Sequence, residues 1–158
     1  MTLARVLQDA ALLLLGLFAG AMLVIGVSFV GYWQSLEPTA FLNWFAANAG
    51  RIGGLMLPLG AAATLAALGS AAVTWSSGGC ARRWSAASAV LAVSILVVYF
   101  VVHAPRNAAF GSAAVPPERV PGELAVWVRW HWVRVLLGVA AFWTQLVAIR
   151  AASSEAPA

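Results

Sequence analysis

Apolar residues in this chain gather into four long uncharged runs separated by short polar stretches. The runs cover residues 10–30, 52–75, 84–102 and 135–149, which is 21, 24, 19 and 15 residues. A helix rises ~1.5 Å per residue and must cross ~30 Å of hydrocarbon, so the first three suffice or nearly suffice as spans. The fourth covers only about 22 Å by the same measure. It crosses a bilayer only if it draws in part of Trp127-Val128-Arg129-Trp130-His131-Trp132-Val133-Arg134, the segment before it. The pattern predicts an all-α fold, a single domain over 1–158, with four transmembrane helices bundled together at about 8–33, 52–75, 84–103 and 123–150. Between the first two, Glu37-Pro38 offers a helix start with proline at the first helical position. Phe41, Leu42, Trp44 and Phe45 then crowd together before Asn48 and Gly50. This predicts a short interfacial helix between helices 1 and 2, its aromatics among lipid headgroups.

The connections are less regular. Residues 76–83, with Gly78, Gly79, Cys80, Arg82 and Arg83, read as a tight polar turn. Residues 104–122 carry Pro105, Pro116, Pro117 and Pro121, a density that favours an extended cover over a long helix. Residues 153–158 read as a polar tail. Gly16 and Gly20 lie four apart and let another backbone come close, within the bundle or in a homo-oligomer.

Composition agrees with a membrane class. Of 158 residues 63% are hydrophobic and 9% charged, too little polar surface to coat a soluble globule. The net charge of +4 comes from nine arginines, with no lysine, against five acids. Spread thinly over loops, it fits a lipid bilayer as partner and no nucleic acid, because no basic stripe or nucleic-acid motif is present. Cys80 is the only cysteine, so no intrachain disulfide forms. Arg5, an apolar run and Ala19-Gly20-Ala21 imitate a signal peptide, but the apolar run continues to Val30, and a retained first helix is expected. Both termini then share one side with Arg5, Arg82, Arg83 and Arg150. That side is cytoplasmic if Arg129 and Arg134 belong to an embedded site and are not loop charges.

That embedded site is the chemical interest of the chain. On a helix Trp127, Trp130, His131 and Arg134 stand at i, i+3, i+4 and i+7, one face carrying two indoles, an imidazole and a guanidinium. His103, Arg106 and Asn107 leave the third helix where these enter the fourth, at a similar depth if the two are antiparallel neighbours. Ionisable groups inside a membrane are functional candidates. The plainer reading is a snorkelling arginine and ordinary belt tryptophans, and it is preferred for Arg129 and Trp132 on the opposite face.

Pro105-Arg106-Asn107, followed by Trp127-x-x-Trp130-His131-x-x-Arg134, resembles the anthrone oxygenase-like family of small four-helix membrane proteins. Tyr32-Trp33-Gln34-Ser35-Leu36 and Arg51-Ile52-Gly53-Gly54-Leu55-Met56-Leu57-Pro58 are similar to a bacterial branch of it. The resemblance covers nearly the whole chain and implies a bacterial inner-membrane location. It further implies oxidation of an anthrone-type aromatic small molecule with O₂ and without metal or organic cofactor. Asn107, Trp127, Trp130, His131 and Arg134 match the family's positions, whereas Ala108 stands where the family often has a second Asn.

The residues permit that chemistry. A neutral histidine could take the acidic C–H proton of an anthrone, making His131 the base. Arg134 or Asn107 could hold the resulting oxyanion, and Trp127, Trp130 and His103 could bind a flat substrate. Two other readings stay open. His103 and His131 could be the axial ligands of one haem, though two histidines and scattered carboxylates make no evident zinc site. A non-catalytic lipid- or small-hydrophobe-binding or accessory protein would explain the glycines and the proline-rich cover equally well.

Overall fold

The computed structural model describes residues 3–75 and 79–154, and within them the chain is helical with no strand. Four segments are long and apolar enough to cross a membrane, so this is an integral membrane protein. They are α1 (Leu3–Ser35), α2 (Pro38–Trp75), α3 (Gly79–Gly111) and α4 (Val120–Ser154), the last introduced by a 3₁₀ turn at Pro117–Arg119. Each packs on the next, and α4 closes the ring against α1.

Two boundaries differ from the sequence-based expectation. No separate interfacial helix interrupts α2, which runs unbroken from Pro38 to Trp75. Asn48 turns its polarity inward on its own helix, Nδ2 donating to the Trp44 carbonyl at 2.8 Å. Gly50, Gly53 and Gly54 weaken the middle of α2, but burial of Phe41, Leu42 and Phe45 before them and Ala63 and Ala67 after them holds one rod. The expected extended cover is also half helical. α3 passes through a π-helical turn, Tyr99–His103, and resumes as α-helix over Ala104–Gly111. Pro105 falls in the first turn of that new α register, where a missing N–H is tolerated. At its other end α3 begins at Gly79, so Gly79 to Arg83 are helical; residues 76–78 of the expected turn and 155–158 of the expected tail lie outside the described residues.

The bundle is filled by two clusters. Toward the termini, Leu15, Phe18, Met22, Ala63, Ala67, Ala89, Ala92 and Ala141 pack together, and the small residues let the helices approach closely. Gly16 faces inward, where an added Cβ would lie 3.2 Å from the Phe142 ring. Gln145 Nε2 of α4 donates to Ser70 Oγ of α2 at 2.8 Å, and Ser88 Oγ of α3 to the Ala141 carbonyl at 2.9 Å. At the loop end the second cluster is aromatic, with Trp33 packed between Phe41, Phe45, Trp44 and Trp127 at centroid distances of 5.3–6.2 Å. Glu123 clasps the rim there, meeting Arg106 at 3.1 Å and Arg119 at 3.4 Å.

One close approach between α1 and α2 gives a prediction. A Cβ on Gly60 would sit 2.8 Å from Phe18 Cζ, whereas one on Gly20 meets nothing within 4 Å. Gly60→Val should therefore cost about 1–3 kcal/mol through overpacking. In nanodiscs this is read as a lowered thermal midpoint, with Gly20→Ala unchanged or higher.

Candidate functional site

Between the two clusters lies a cavity whose walls come from all four helices. It is lined by Ile25 and Trp33 of α1, Phe45, Ala49, Ile52, Gly53, Met56 and Leu57 of α2, Tyr99 and Asn107 of α3, and Trp127, His131 and Arg134 of α4. Four residues singled out by the sequence, Asn107, Trp127, His131 and Arg134, thus meet in one place. Its cavity volume is about 70 Å³.

His131 is 1% exposed and His103 fully buried. The His131 Nε2 lies 2.9 Å from the Met22 carbonyl of α1. A carbonyl only accepts, so Nε2 carries the proton and, in the neutral ring, Nδ1 carries the free lone pair. Nδ1 is buried and has no hydrogen-bond partner. Gly26 makes the approach feasible, because a Cβ there would fall 3.2 Å from the Trp132 ring and 3.4 Å from Nε2. Trp127 stacks on His131, centroids 4.8 Å apart and planes 11° from parallel, and donates Nε1–H to Asn107 Oδ1 at 2.8 Å. An indole nitrogen only donates, so Asn107 has its Nδ2 left to offer a ligand.

Arg134 is 7% exposed, its Cζ 5.4 Å from the centre of the Tyr99 ring. Among the described residues it makes no ion pair, and its Nε has no hydrogen-bond partner. A buried cation with an aromatic face but no carboxylate is poised to receive an anion. Arg106, by contrast, is tied to Glu123 and donates Nη1–H to the Val102 carbonyl at 3.1 Å, outside the cavity. Trp130 is half-buried at the flank, because consecutive residues point ~100° apart on a helix and His131 takes the inward direction.

His103 does not line the cavity but supports it, edge-on to Trp127 at 4.9 Å and 6.3 Å from His131. These spacings bear on haem. With Trp127 4.8 Å from His131 and 4.9 Å from His103, the indole sits beside the midpoint of the imidazoles, in the plane a porphyrin would occupy. His131 also spends Nε2 on Met22, so the two histidines do not fit axial ligation. Among the described residues no group of three or more His, Cys, Asp or Glu could hold a metal ion.

Tyr99, Trp33 and the Met22 carbonyl were not evident beforehand. Tyr99 is four residues before His103, a helical spacing that could have flagged it. Two π-helical turns, Ile25–Phe29 and Tyr99–His103, flank the cavity and supply Ile25 and Tyr99 to its wall, a placement such turns often have at functional sites.

A family model described as anthrone oxygenase matches residues 41–144, a segment that holds Asn107, Trp127, His131 and Arg134. No curated protein and no solved structure matches the chain.

Proposed function

This chain belongs to the anthrone oxygenase family, and on that footing we propose that it oxidises an anthrone-type or related flat phenolic substrate with O₂. The observation that carries this reading is an unpartnered imidazole Nδ1 in the same buried cavity as a guanidinium without a carboxylate. Nδ1 of His131 takes the proton from the acidic CH₂ carbon, and the electron pair moves to the ring carbonyl oxygen. Arg134 and the Asn107 amide hold that oxyanion in a low-dielectric site. The carbanionic carbon passes electrons to O₂ and forms a C–O bond, and protonation from His131 yields a hydroperoxide. Loss of water, breaking the O–O bond and the remaining C–H bond, leaves the quinone. Anthrone and O₂ become anthraquinone and water, with no further reductant.

The cavity is well below the ~300 Å³ at which pockets begin to enclose drug-sized ligands. The rings therefore enter as the α2 wall of Ile52, Met56 and Leu57 yields. Leu57 is 46% exposed toward the surrounding membrane, giving the site a lateral mouth. That mouth favours a second reading, a non-catalytic carrier of small hydrophobes. In either case the site faces the side opposite the termini, periplasmic if the chain sits in a bacterial inner membrane with cytoplasmic termini.

Oxygen uptake by the purified protein in nanodiscs separates the two. Catalysis predicts repeated turnover of anthrone, one O₂ per anthraquinone formed and no peroxide released. Saturable binding without turnover above the spontaneous rate supports the carrier. Gly53 has open space where its Cβ would be. Gly53→Phe should fill the mouth and lower kcat/KM for anthrone by ~10-fold or more, because misplacing or excluding the substrate forfeits its alignment with the base.

A further inference from the structure

Catalysis as described makes no use of the Trp33 indole N–H, although Trp33 lines the cavity. Trp33 is 2% exposed, and its Nε1 is buried without a hydrogen-bond partner. An indole N–H can only donate, and buried donors are rarely left unmet. Trp127 has given its N–H to Asn107, so of the two lining indoles only Trp33 can still meet a ligand.

Depth distinguishes this donor from Arg134. The Trp33 ring lies 5.3 Å from that of Trp127. Arg134 follows Trp127 by seven residues, which is ~10 Å further along the helix axis. His131, with its free Nδ1, lies between them. The cavity therefore presents a donor near its aromatic end, a proton acceptor in the middle and a charged donor at depth. A single ligand oxygen does not serve two donors so far apart.

We propose that Trp33 is a substrate-binding residue that donates its indole N–H to a second oxygen of the substrate. The ligand is then an enolisable polycyclic ketone whose carbonyl oxygen becomes anionic beside Arg134. It bears a further hydroxyl or carbonyl oxygen on an outer ring, reaching Trp33. This rests on the oxygenase reading above and narrows its substrate class. The residue lies outside the segment that the family model matches.

Trp33→Phe keeps an aromatic ring and removes the N–H. With the full-length protein in nanodiscs, kcat/KM is measured on 3-hydroxyanthrone and on unsubstituted anthrone. The wild type should prefer the hydroxylated compound by ~10-fold, a typical worth of one buried hydrogen bond. Trp33→Phe should erase that preference, mainly through KM, so that the loss on 3-hydroxyanthrone exceeds any loss on anthrone by ~10-fold. Equal losses on both compounds, or no loss on either, overturn the proposal. A wild type that treats the two alike overturns it too, whether or not the variant folds. If neither compound is oxidised, the oxygenase reading fails by itself. Anaerobic binding of the same pair, followed by quenching of tryptophan fluorescence, then decides the role of Trp33: preference for 3-hydroxyanthrone, lost in Trp33→Phe, supports it, and equal affinity refutes it.

Discussion

Replacing His131 with glutamine is expected to lower turnover by ~10²–10⁴-fold, the range for loss of a positioned general base. The choice of glutamine matters. His131 holds α4 to α1 by donating Nε2–H to the Met22 carbonyl, and a glutamine amide can make a similar donation from a side chain of similar size. What it cannot supply is a basic nitrogen at the position of Nδ1. The thermal midpoint should thus change little while oxygen uptake collapses. Full turnover in this variant would remove His131 from the chemistry. The other imidazole, His103, stands behind Trp127 and does not line the cavity.

Arg134→Met should make the protein more stable and nearly inactive. Burial of a guanidinium costs several kcal/mol, and here no carboxylate offsets it among the described residues. The Tyr99 face, 5.4 Å away, returns only about 2 kcal/mol or somewhat more of this. Methionine fills similar space with no charge, so a gain of about 1–4 kcal/mol is expected, read as a raised thermal midpoint in nanodiscs. Loss of the oxyanion partner should reduce kcat by ~10²–10³-fold. A lowered midpoint would instead mark Arg134 as structural support for α3 and α4. Opposed changes in stability and activity are what a residue retained for function gives.

The spans were legible because an uncharged run of sufficient length has no other inexpensive environment. Their ends were not. Asn48 and Gly50 carry the composition of a helix terminus, yet α2 passes through them because its buried neighbours lie on both sides. Pro105 reads as a breaker, but a π-helical turn shifts the register just before it, and such turns leave no clear sequence mark. Helical spacing brought Trp127, His131 and Arg134 to one wall and placed Trp130 there too, since a face counted by residue intervals is wider than a cavity. The Met22 carbonyl was invisible for a simple reason: every residue has one. Trp33 stands at the end of the first predicted span, and nothing in the sequence says which way it faces. Only its neighbours show that it points into the bundle.

Leu57 gives the cavity a lipid-facing side, and this changes what a substrate concentration means for this protein. An oily ketone dissolves in the bilayer long before it saturates water, so the proposed site samples moles of ketone per mole of phospholipid. Diluting a fixed amount of substrate with empty vesicles should slow the reaction even when the aqueous volume is held constant. A Michaelis constant quoted in molar units would then drift with lipid content, whereas one expressed as a mole fraction should hold steady.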